Sequence, residues 1–395
     1  MPPTRENPTP VAASEIQRSR KPEETLRWIS PHLKAVGITR VADLTRLDSW
    51  LGFHVFCAVR PRGVLLQSTT GKGTTAPAAT VSALMEATEQ FHAESADHRR
   101  FRKPNSIPRG AARWRSPASG KGPRFMAGSA EREIHPWVAG ENLHDGERLW
   151  LPASLAWFLE PTLVRTHTNG LAAGNDRPEA TLHGLYELLE RDAVSRLTDG
   201  YRIHFGDRCR AIDPTTIETP WLATIRDAIR EAEVKLILLR VQSIVPVHTC
   251  WAVLLDRRPH HRVTAFQAGY GTHTSLEVAA ARAIGEAVQA RLTAIHGARD
   301  DLPDQAVFSD RDAAWKGPAY RFFEALRPDI DWHQATRLST GPDSHSSDRV
   351  LAWMLDALAA AGHDKIYRIE LTRPEIGVPV VKMIAPSLRY RRSLF

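Results

Sequence analysis

Cysteine is scarce in this sequence, and long apolar runs and a signal-like N-terminus are lacking. The three cysteines, Cys57, Cys209 and Cys250, form no CxxC pair, which argues against a disulfide framework or a zinc ribbon. No run approaches the roughly 18 consecutive apolar residues of a membrane span. The polar, proline-rich N-terminus has no apolar signal core, and we expect residues 1–20 to be a disordered tail. We therefore expect a cytoplasmic protein that is not embedded in a membrane.

Several common functional motifs are absent as well. The net charge is +7, and the positive charge is scattered, with local concentration around "RGAARWRSPASGKGPR" and "RYRR". No nucleic-acid-binding motif accompanies it, so nucleic acid is not an expected partner. The stretch "TTGKGTT" lacks the upstream glycine and the Ser or Thr after Lys that define a P-loop, and "SGKGPR" fails the same pattern. There is no GxSxG, and Cys57 and Cys250 lie in apolar runs typical of a core. Nucleophilic catalysis therefore has little support.

What the sequence does contain is an alternation of strand-like and helical runs. A chain of 395 residues, 42% of them hydrophobic, is large enough for one extended core. Apolar runs such as "HVFCAVRP", "VLLQST", "HTCWAVLLD", "TAFQAG" and "PVVKMIA" predict strands, and "APAATVSALMEATEQFHAES" and "SLEVAAARAIGEAVQARLTAIH" predict helices. Residues 100–150 read as irregular loops with short strands. We expect an α/β or α+β fold built around mixed sheets, with one large domain over residues 21–395.

The stretch "GNDRPEATLHGLYELLERDA", residues 174–193, predicts a helix with one acidic stripe. At about 100° per residue, Glu179, His183, Glu187 and Glu190 fall at roughly 0°, 40°, 80° and 20°. The leucines of this helix lie on the other side. Three carboxylates on one stripe repel each other, so the pattern indicates that a ligand or a metal relieves the repulsion.

The same spacing occurs in three helices. Ser82, Glu86 and Glu89 lie at i, i+4 and i+7, as do His183, Glu187 and Glu190, and then Arg282, Glu286 and Gln289. The three starting positions are 101 and 99 residues apart. A glycine-bearing stretch precedes each helix: "GKG", "NGLAAGN" and "GYGTH". We interpret this as three related strand–Gly turn–helix units in one domain; the alternative is that polar helix faces coincide by chance.

The residue types favour a magnesium–nucleotide site. If the helix faces converge, Glu86, Glu89, Glu179, Glu187 and Glu190 are oxygen ligands suited to Mg²⁺, which commonly binds carboxylates together with phosphates. Lys72, Arg191 and Arg282 would supply cations to a triphosphate, although Lys72 also fits an ordinary turn lysine. A glycosidase-like acid pair needs only two carboxylates and ranks low. The catalytic residue stays unassigned; His273 and His183 are the candidates, and His183 also fits a hydrogen-bonding spacer.

Four stretches together resemble the YcaO family. They are "GKGTT…VSALMEATEQFHAE", "TNGLAAGNDRPEATLHGLYELLERDA", "GYGTH…ARAIGEAVQAR" and "IELTRPEIGVPVVKMIAPSL", and the resemblance runs from about residue 20 to the end. The N-terminal "PEETLRWISPHLKAVGITRVADLTRLD" is similar to the branch that works with TfuA-type proteins. The resemblance implies an ATP- and Mg²⁺-dependent enzyme that acts on peptide amide bonds.

The resemblance also implies roles for individual residues. Ser82, Glu86 and Glu89 match the family's SxxxExxE nucleotide motif. The second block is matched by five residues: Asn175, Glu179, Glu187, Glu190 and Arg191. The third is matched by Arg282, Glu286 and Gln289. In the second block the resemblance implies that the glutamates are Mg²⁺ and phosphate ligands.

The sequence departs from the family pattern at several positions. Gln90 and Lys382 stand where Arg is common, and Ser387 and Arg389 replace the usual "PGLE". The ending "RYRRSLF" lacks the proline-rich tail usual in azoline-forming members. These departures favour a thioamide-forming enzyme with an external sulfur donor, with azoline formation from Cys, Ser or Thr as the alternative and amidine formation as a third outcome. A TfuA-like or other partner is expected to supply recognition or sulfur. A homodimer and a non-catalytic peptide-binding scaffold are left open.

Overall fold

The computed structural model describes most of the chain and no part of residues 1–16, 103–135, 301–316 or 391–395. The described residues are 17–97, 100–102, 136–159, 166–199, 202–203, 205–206, 208–258, 262–299, 317–339, 341–342 and 344–390.

The described secondary structure comprises short and long helices interleaved with strands. The helices are α1 (Pro22–Ile29), α2 (Leu33–Val36), α3 (Ala76–Glu94), α4 (Arg177–Arg196), α5 (Pro220–Glu231), α6 (Arg262–Ala265), α7 (Leu276–His296), α8 (Pro318–Ala325), α9 (Trp332–Arg337) and α10 (Ser347–Ala360). The strands are β1 (Arg40–Asp43), β2 (His54–Val59), β3 (Ser68–Gly73), β4 (Trp137–Asn142), β5 (Arg148–Pro152), β6 (Leu171–Ala173), β7 (Thr198–Asp199), β8 (Arg202–Ile203), β9 (Cys209–Ile212), β10 (Val234–Val241), β11 (His248–Asp256), β12 (Phe266–His273), β13 (Tyr367–Glu370) and β14 (Val380–Ile384).

The strands form several antiparallel sheets. Their orders are β1-β2-β3, β12-β11-β10-β9 and β5-β4-β13-β14-β6, with a small β7-β8 ribbon. Strand β11 is buried along its whole length and pairs with β10 on one side and β12 on the other. The α+β class is confirmed. The expectation of mixed sheets was wrong in detail, because every ladder among the described strands is antiparallel.

The three predicted units are present as strand–helix pairs: β3 with α3, β6 with α4, and β12 with α7. Each helix starts in the same way. The side chains of Thr75, Asp176 and Ser275 accept the backbone N–H groups of the residues three positions later, which satisfies one unpaired donor of each first turn. These N-caps are spaced by 101 and 99 residues, the period of the acidic motifs. The repeat therefore extends from side-chain pattern to backbone geometry.

Of the glycines in these units, Gly170 lies in a turn as expected, with a left-handed φ of 79°, but most of the others lie in strands. Gly71–Gly73 closes strand β3, and Gly269 and Gly271 lie within β12. A Cβ at Gly73 would lie 2.5 Å from the nitrogen of Ala79, and one at Gly271 would lie 2.2 Å from the oxygen of Ala279. The glycines are thus required for close packing of strand on helix. Gly174, whose Cβ would meet the nitrogen of Ala180 at 2.5 Å, serves the same purpose.

The apolar faces of the unit helices are buried against these sheets. On α4, Leu185 and Leu189 are fully buried together with the strand β14 residues Val381 and Met383. Helix α7 packs its alanines and Ile284 on Cys250 and other residues of β11. The polar stripe of each helix consequently lies away from these packed apolar side chains. Among the described helices there is no candidate for a membrane-spanning segment.

Some element boundaries differ from the prediction. "VLLQST" was expected as a strand, but β3 begins only at Ser68, and "TAFQAG" begins in the short helix α6. The expected N-terminal tail ended at residue 20, yet Gln17 is only 5% exposed and is hydrogen-bonded to the protein. The rest of the expected tail, residues 1–16, lies outside the described residues, as does most of the predicted irregular stretch 100–150. A single domain over residues 21–395 stays a prediction.

Candidate functional site

The faces of α3, α4 and α7 converge on one cavity of about 1000 Å³. Every residue proposed from the sequence for cofactor binding lines it: Lys72, Ser82, Glu86, Glu89, Asn175, Glu179, Glu187, Glu190, Arg191, Arg282, Glu286 and Gln289. The two histidine candidates, His183 and His273, line it as well. Residues from three units that are about a hundred positions apart in sequence therefore share one site.

Backbone amides from the neighbouring strands and loops hold three of the glutamates. Glu89 accepts the N–H of Ala173 at 2.7 Å, Glu187 that of Gly170 at 3.1 Å, and Glu286 that of Tyr270 at 3.0 Å. Burial nevertheless raises the pKa of Glu89 well above its ordinary value and raises that of Glu187. One oxygen of each carboxylate is fixed by the fold, and the other receives no hydrogen bond from a described residue.

Among the residues that the structure describes, four charged side chains of the cavity have no hydrogen-bonding partner. Within the described part of the chain, the side chains of Glu86, Glu190, Arg191 and Arg282 form no hydrogen bond and no ion pair within 4 Å. Burial raises the pKa of Glu86 to about 7, and burial together with Glu286 raises that of Glu190 to about 7. Burial also lowers the pKa of Arg282. Unpaired buried charges are costly, and perturbed pKa values in a cleft mark candidate functional sites.

Lys72 links the first unit to the third. Its Nζ donates to Oε1 of Gln289 at 3.0 Å, while Nε2 of Gln289 donates to the carbonyl of Thr70 at 2.6 Å. Burial lowers the pKa of Lys72, opposed most strongly by Glu286. Gln289 thus occupies the slot of Glu89 and Glu190 and serves as a neutral connector between two units.

Glu179 differs from the other carboxylates because protein donors already surround it. Arg18 Nη1 donates at 2.6 Å, the backbone N–H of Ser19 at 3.2 Å, and Nδ2 of Asn175 at 3.0 and 3.2 Å. Burial raises its pKa, but these donors, Arg18 above all, outweigh burial and lower it. A metal at Glu179 would have to share the carboxylate with Arg18. The assignment of Glu179 as a metal ligand stays a prediction.

The two histidines are neutral and differ in their surroundings. Burial and then Arg282 lower the pKa of both His183 and His273 well below the ordinary value. Nδ1 of His183 is buried without a hydrogen-bond partner in the described residues. His273 accepts the backbone N–H of Ser275 on Nδ1 at 3.0 Å and its ring lies 5.1 Å from that of Tyr186. His273 is therefore the better held of the two.

Several cavity residues were missed at the sequence level. Gln17, Arg18 and Thr25 reach the site from the N-terminal segment, and Tyr186 and Arg299 also line it. Arg18 contacts a residue 161 positions away, and no local pattern encodes such a contact. Tyr186 had a usable signal, since it lies three residues after His183 on the acidic helix.

Three of the four positions that depart from the family pattern form hydrogen bonds within the fold: Lys382, Ser387 and Arg389. Gln90 lines the cavity and is 4% exposed. Lys382 is 2% exposed and its Nζ donates to the carbonyls of His167 and Asn169, which fixes the turn that carries Gly170. Burial lowers the pKa of Lys382 to about 7, opposed by Glu187. Ser387 is hydrogen-bonded to His363 at 2.7 Å, and the N–H of Arg389 donates to Asp192.

The donor set fits a metal that is completed by its ligand. In the residues that the structure covers, no three His, Cys, Asp or Glu side chains form a ready-made metal cage. Mg²⁺ often takes only one or two carboxylates and fills its remaining positions with phosphate oxygens and water. The unpaired Glu86 and Glu190 provide such carboxylates, and the unpaired Arg191 and Arg282 provide cations for phosphates.

Solved structures share this fold. The chain matches the structure of YcaO from Methanopyrus kandleri bound with AMPPCP and Mg²⁺, with a TM-score of 0.72 and 24% identity. The match covers 94% of this chain and 93% of the YcaO chain. A heterocyclase in complex with substrate and cofactor matches 94% of this chain and 53% of the other, with a TM-score of 0.69 and 20% identity. At these identities the matches establish the shared fold.

Sequence relatives and a family profile agree with the fold. An uncharacterised protein of Methanothermobacter thermautotrophicus is 32% identical over 384 residues, covering 93% of this chain and 94% of the relative. A protein of Rhizobium leguminosarum bv. trifolii, named "Uncharacterized protein in tfuA 3'region", is 32% identical over 397 residues, covering 94% and 88%. The profile "YcaO cyclodehydratase, ATP-ad Mg2+-binding" matches residues 70–389. The chain thus belongs to the YcaO family and is an ATP-dependent, peptide-modifying enzyme whose cofactors are ATP and Mg²⁺.

Proposed function

We propose that this enzyme converts a backbone amide of a ribosomally made peptide into a thioamide. ATP activates the amide oxygen, and a sulfur nucleophile replaces it. The observation that carries the site assignment is the set of four unpaired charges in the cavity, Glu86, Glu190, Arg191 and Arg282. Two carboxylates and two guanidinium groups that lack hydrogen-bond partners in the described residues match a ligand that brings both a cation and phosphates.

The residues divide into two groups by charge. Glu86 and Glu190, with the amide-held Glu89 and Glu187, would hold Mg²⁺, which supplies charge neutralisation at the phosphates when bound. The cations would hold the triphosphate: Arg191, Arg282 and Lys72. Ser82, Asn175, Glu286 and Gln289 complete the polar wall around them. The chain's own contribution is positioning and electrostatic stabilisation.

The reaction balances with hydrosulfide or a bound sulfur donor as the co-reactant. The sulfur lone pair forms the C–S bond, and the C=O π pair moves onto oxygen. That oxygen attacks the terminal phosphorus of ATP, and ADP leaves. The C–O bond then breaks with loss of inorganic phosphate, the S–H proton is released, and C=S remains with the amide nitrogen in place. The cavity lining offers no cysteine, so we assign the sulfur to an external donor.

A partner protein is the proposed route for sulfur or for peptide recognition. The support is the relative from Rhizobium, whose name places it beside tfuA. We therefore propose a TfuA-like protein as the partner. The second candidate function is azoline formation, in which the nucleophile is a Cys, Ser or Thr side chain of the peptide. The family description as a cyclodehydratase and the heterocyclase with the same fold favour it.

Intact-mass analysis of the product separates these reactions. The purified enzyme is incubated with a candidate peptide, ATP, Mg²⁺ and isotopically heavy sulfide, with and without the partner. The proposal predicts replacement of one oxygen by heavy sulfur. Loss of water without sulfur uptake would establish azoline formation instead, and replacement of oxygen by a nitrogen group would establish an amidine.

A non-catalytic scaffold is the contrasting function. It predicts peptide binding without any ATP consumption, whereas the unpaired charges predict peptide-dependent release of phosphate. Phosphate release in step with modified peptide supports the enzyme. Peptide binding with no phosphate release under any of the sulfur conditions would support the scaffold.

A further inference from the structure

His273 interrupts the three-fold repeat at the edge of the cavity. The unit spacing of 101 and 99 residues aligns it with Gly73 and Gly174. Both glycines pack so closely on their helices that a Cβ would lie 2.5 Å from a backbone nitrogen. Only the third unit carries a side chain here, and this side chain lines the cavity while remaining 3% exposed.

The hydrogen bond of Nδ1 determines where the proton of the ring lies. Nδ1 of His273 accepts the backbone N–H of Ser275 at 3.0 Å, so this nitrogen is unprotonated. Burial, Arg282 and Arg18 lower the pKa of His273 well below its ordinary value, which keeps the ring neutral. A neutral imidazole with an acceptor Nδ1 carries its proton on Nε2. His273 is therefore a fixed N–H donor and has no free nitrogen with which to act as a base.

The donor atom is accessible to a ligand. Nε2 of His273 forms no hydrogen bond with a described residue, and it is absent from the nitrogens that are sealed inside the protein, unlike Nδ1 of His183 and of His248. The ring is held in place by its bond to Ser275 and by the tilted contact with Tyr186. The Arg282 guanidinium acts electrostatically on the same ring. A neutral donor thus lies beside an unpaired cation at one wall of the cavity.

We propose that His273 is a catalytic hydrogen-bond donor whose Nε2–H stabilises the oxygen of the peptide amide while the nucleophile adds to its carbon. This proposal rests on the proposed function. As the C–S bond forms, the π electron pair of the C=O bond moves onto the oxygen. The proton stays on Nε2 and forms a hydrogen bond to that oxygen. Preorganised donors of this kind typically contribute 10²- to 10³-fold to kcat.

Two substitutions separate donation from support of the turn. His273→Gln places an amide N–H near the position of Nε2, and His273→Asn places an amide oxygen near the position of Nδ1, where it can still accept from Ser275. We expect kcat for peptide modification to fall on the order of 10²-fold or more in His273→Asn and far less in His273→Gln. The melting temperature of His273→Asn and its affinity for AMPPCP with Mg²⁺ should equal those of the wild type.

Each other outcome contradicts the proposal in its own way. If His273 only supports the start of α7, His273→Asn keeps activity and His273→Gln loses both activity and thermal stability. If its donor serves a phosphate, His273→Asn binds AMPPCP with Mg²⁺ more weakly. Failure of the proposed function is distinguishable, because the wild type itself would then produce no modified peptide.

Discussion

Helix α7 carries two arginines about two and a half turns apart, the half-buried Arg282 and the buried Arg291. Among the described residues, one is surrounded by hydrogen-bond acceptors and the other is not. Arg291, 6% exposed, donates to Asp48, to Asp256 at 3.0 Å and to the carbonyl of Thr264 at 2.7 Å. Arg282 faces the cavity and has no such partner in the described chain. The fold completes the first charge by itself, whereas the second is left for a ligand. The difference separates structural charge from functional charge on a single helix.

Replacing each arginine by methionine should give opposite results. Arg291→Met leaves two carboxylates uncompensated, and we expect a loss of about 3–5 kcal/mol in the free energy of unfolding. Arg282→Met removes an unpaired charge, so stability should be unchanged or higher while kcat for ATP turnover falls on the order of 10²- to 10³-fold. Chemical denaturation measures the free energy of unfolding, and a phosphate-release assay measures ATP turnover. Equal destabilisation by the two variants would contradict the comparison.

The pH dependence of stability tests the unpaired carboxylates. Burial and Glu286 raise the pKa of Glu190 from 4.5 to about 7, so between these values the folded protein binds more protons than the unfolded chain. The stability of the nucleotide-free protein should therefore fall as pH rises from about 4.5 to about 7. Glu190→Gln removes this loss of stability. Its free energy of unfolding should exceed that of the wild type by on the order of 1–3 kcal/mol near pH 8 and differ little from it near pH 4.5.

Glu277→Gln on α7 is the matched control for that experiment. It is the same chemical change at a glutamate outside the cavity, where Oε1 accepts from Thr219, a role that the amide oxygen of Gln can retain. Unfolding free energies measured across the pH range should not diverge from the wild type. A stability gain in Glu190→Gln that is the same at both ends of the range would rule out a raised pKa as its cause.

Substitutions in the N-terminal segment should have a smaller effect on stability. The side chain of Gln17, which lines the cavity, already has hydrogen-bond partners in the protein. Gln17 has a left-handed φ of 62°, donates to Thr274 at 3.0 Å and accepts from Tyr186 at 2.9 Å. Gln17→Ala should lower stability by about 1–2 kcal/mol because these bonds are lost. Gln17→Gly loses the same bonds but relieves the backbone, so it should be the more stable of the two by up to about 1 kcal/mol. Thermal denaturation that ranks Ala above Gly would contradict the strained conformation.

The features that repeat in the three units could be predicted from the sequence, whereas contacts that occur only once could not. The stripe of α4 and its counterparts were readable because one helical period repeats about every hundred residues, and all three faces line the cavity. The contact of Arg18 with Glu179 joins residues 161 positions apart and follows no period. Strand glycines were read as turns because the sequence does not reveal the close approach of a helix backbone, as at Gly71 and Gly73. Charge type was predictable; charge pairing required tertiary structure.

Calorimetric titration of AMPPCP, with and without Mg²⁺, tests most directly whether the unpaired charges are completed by a magnesium nucleotide. The wild type and Glu277→Gln should bind AMPPCP much more tightly when Mg²⁺ is present. Glu190→Gln should lose most of that Mg²⁺-dependent gain because a carboxylate at the cation is gone. Undiminished Mg²⁺-dependent binding by Glu190→Gln would contradict the account.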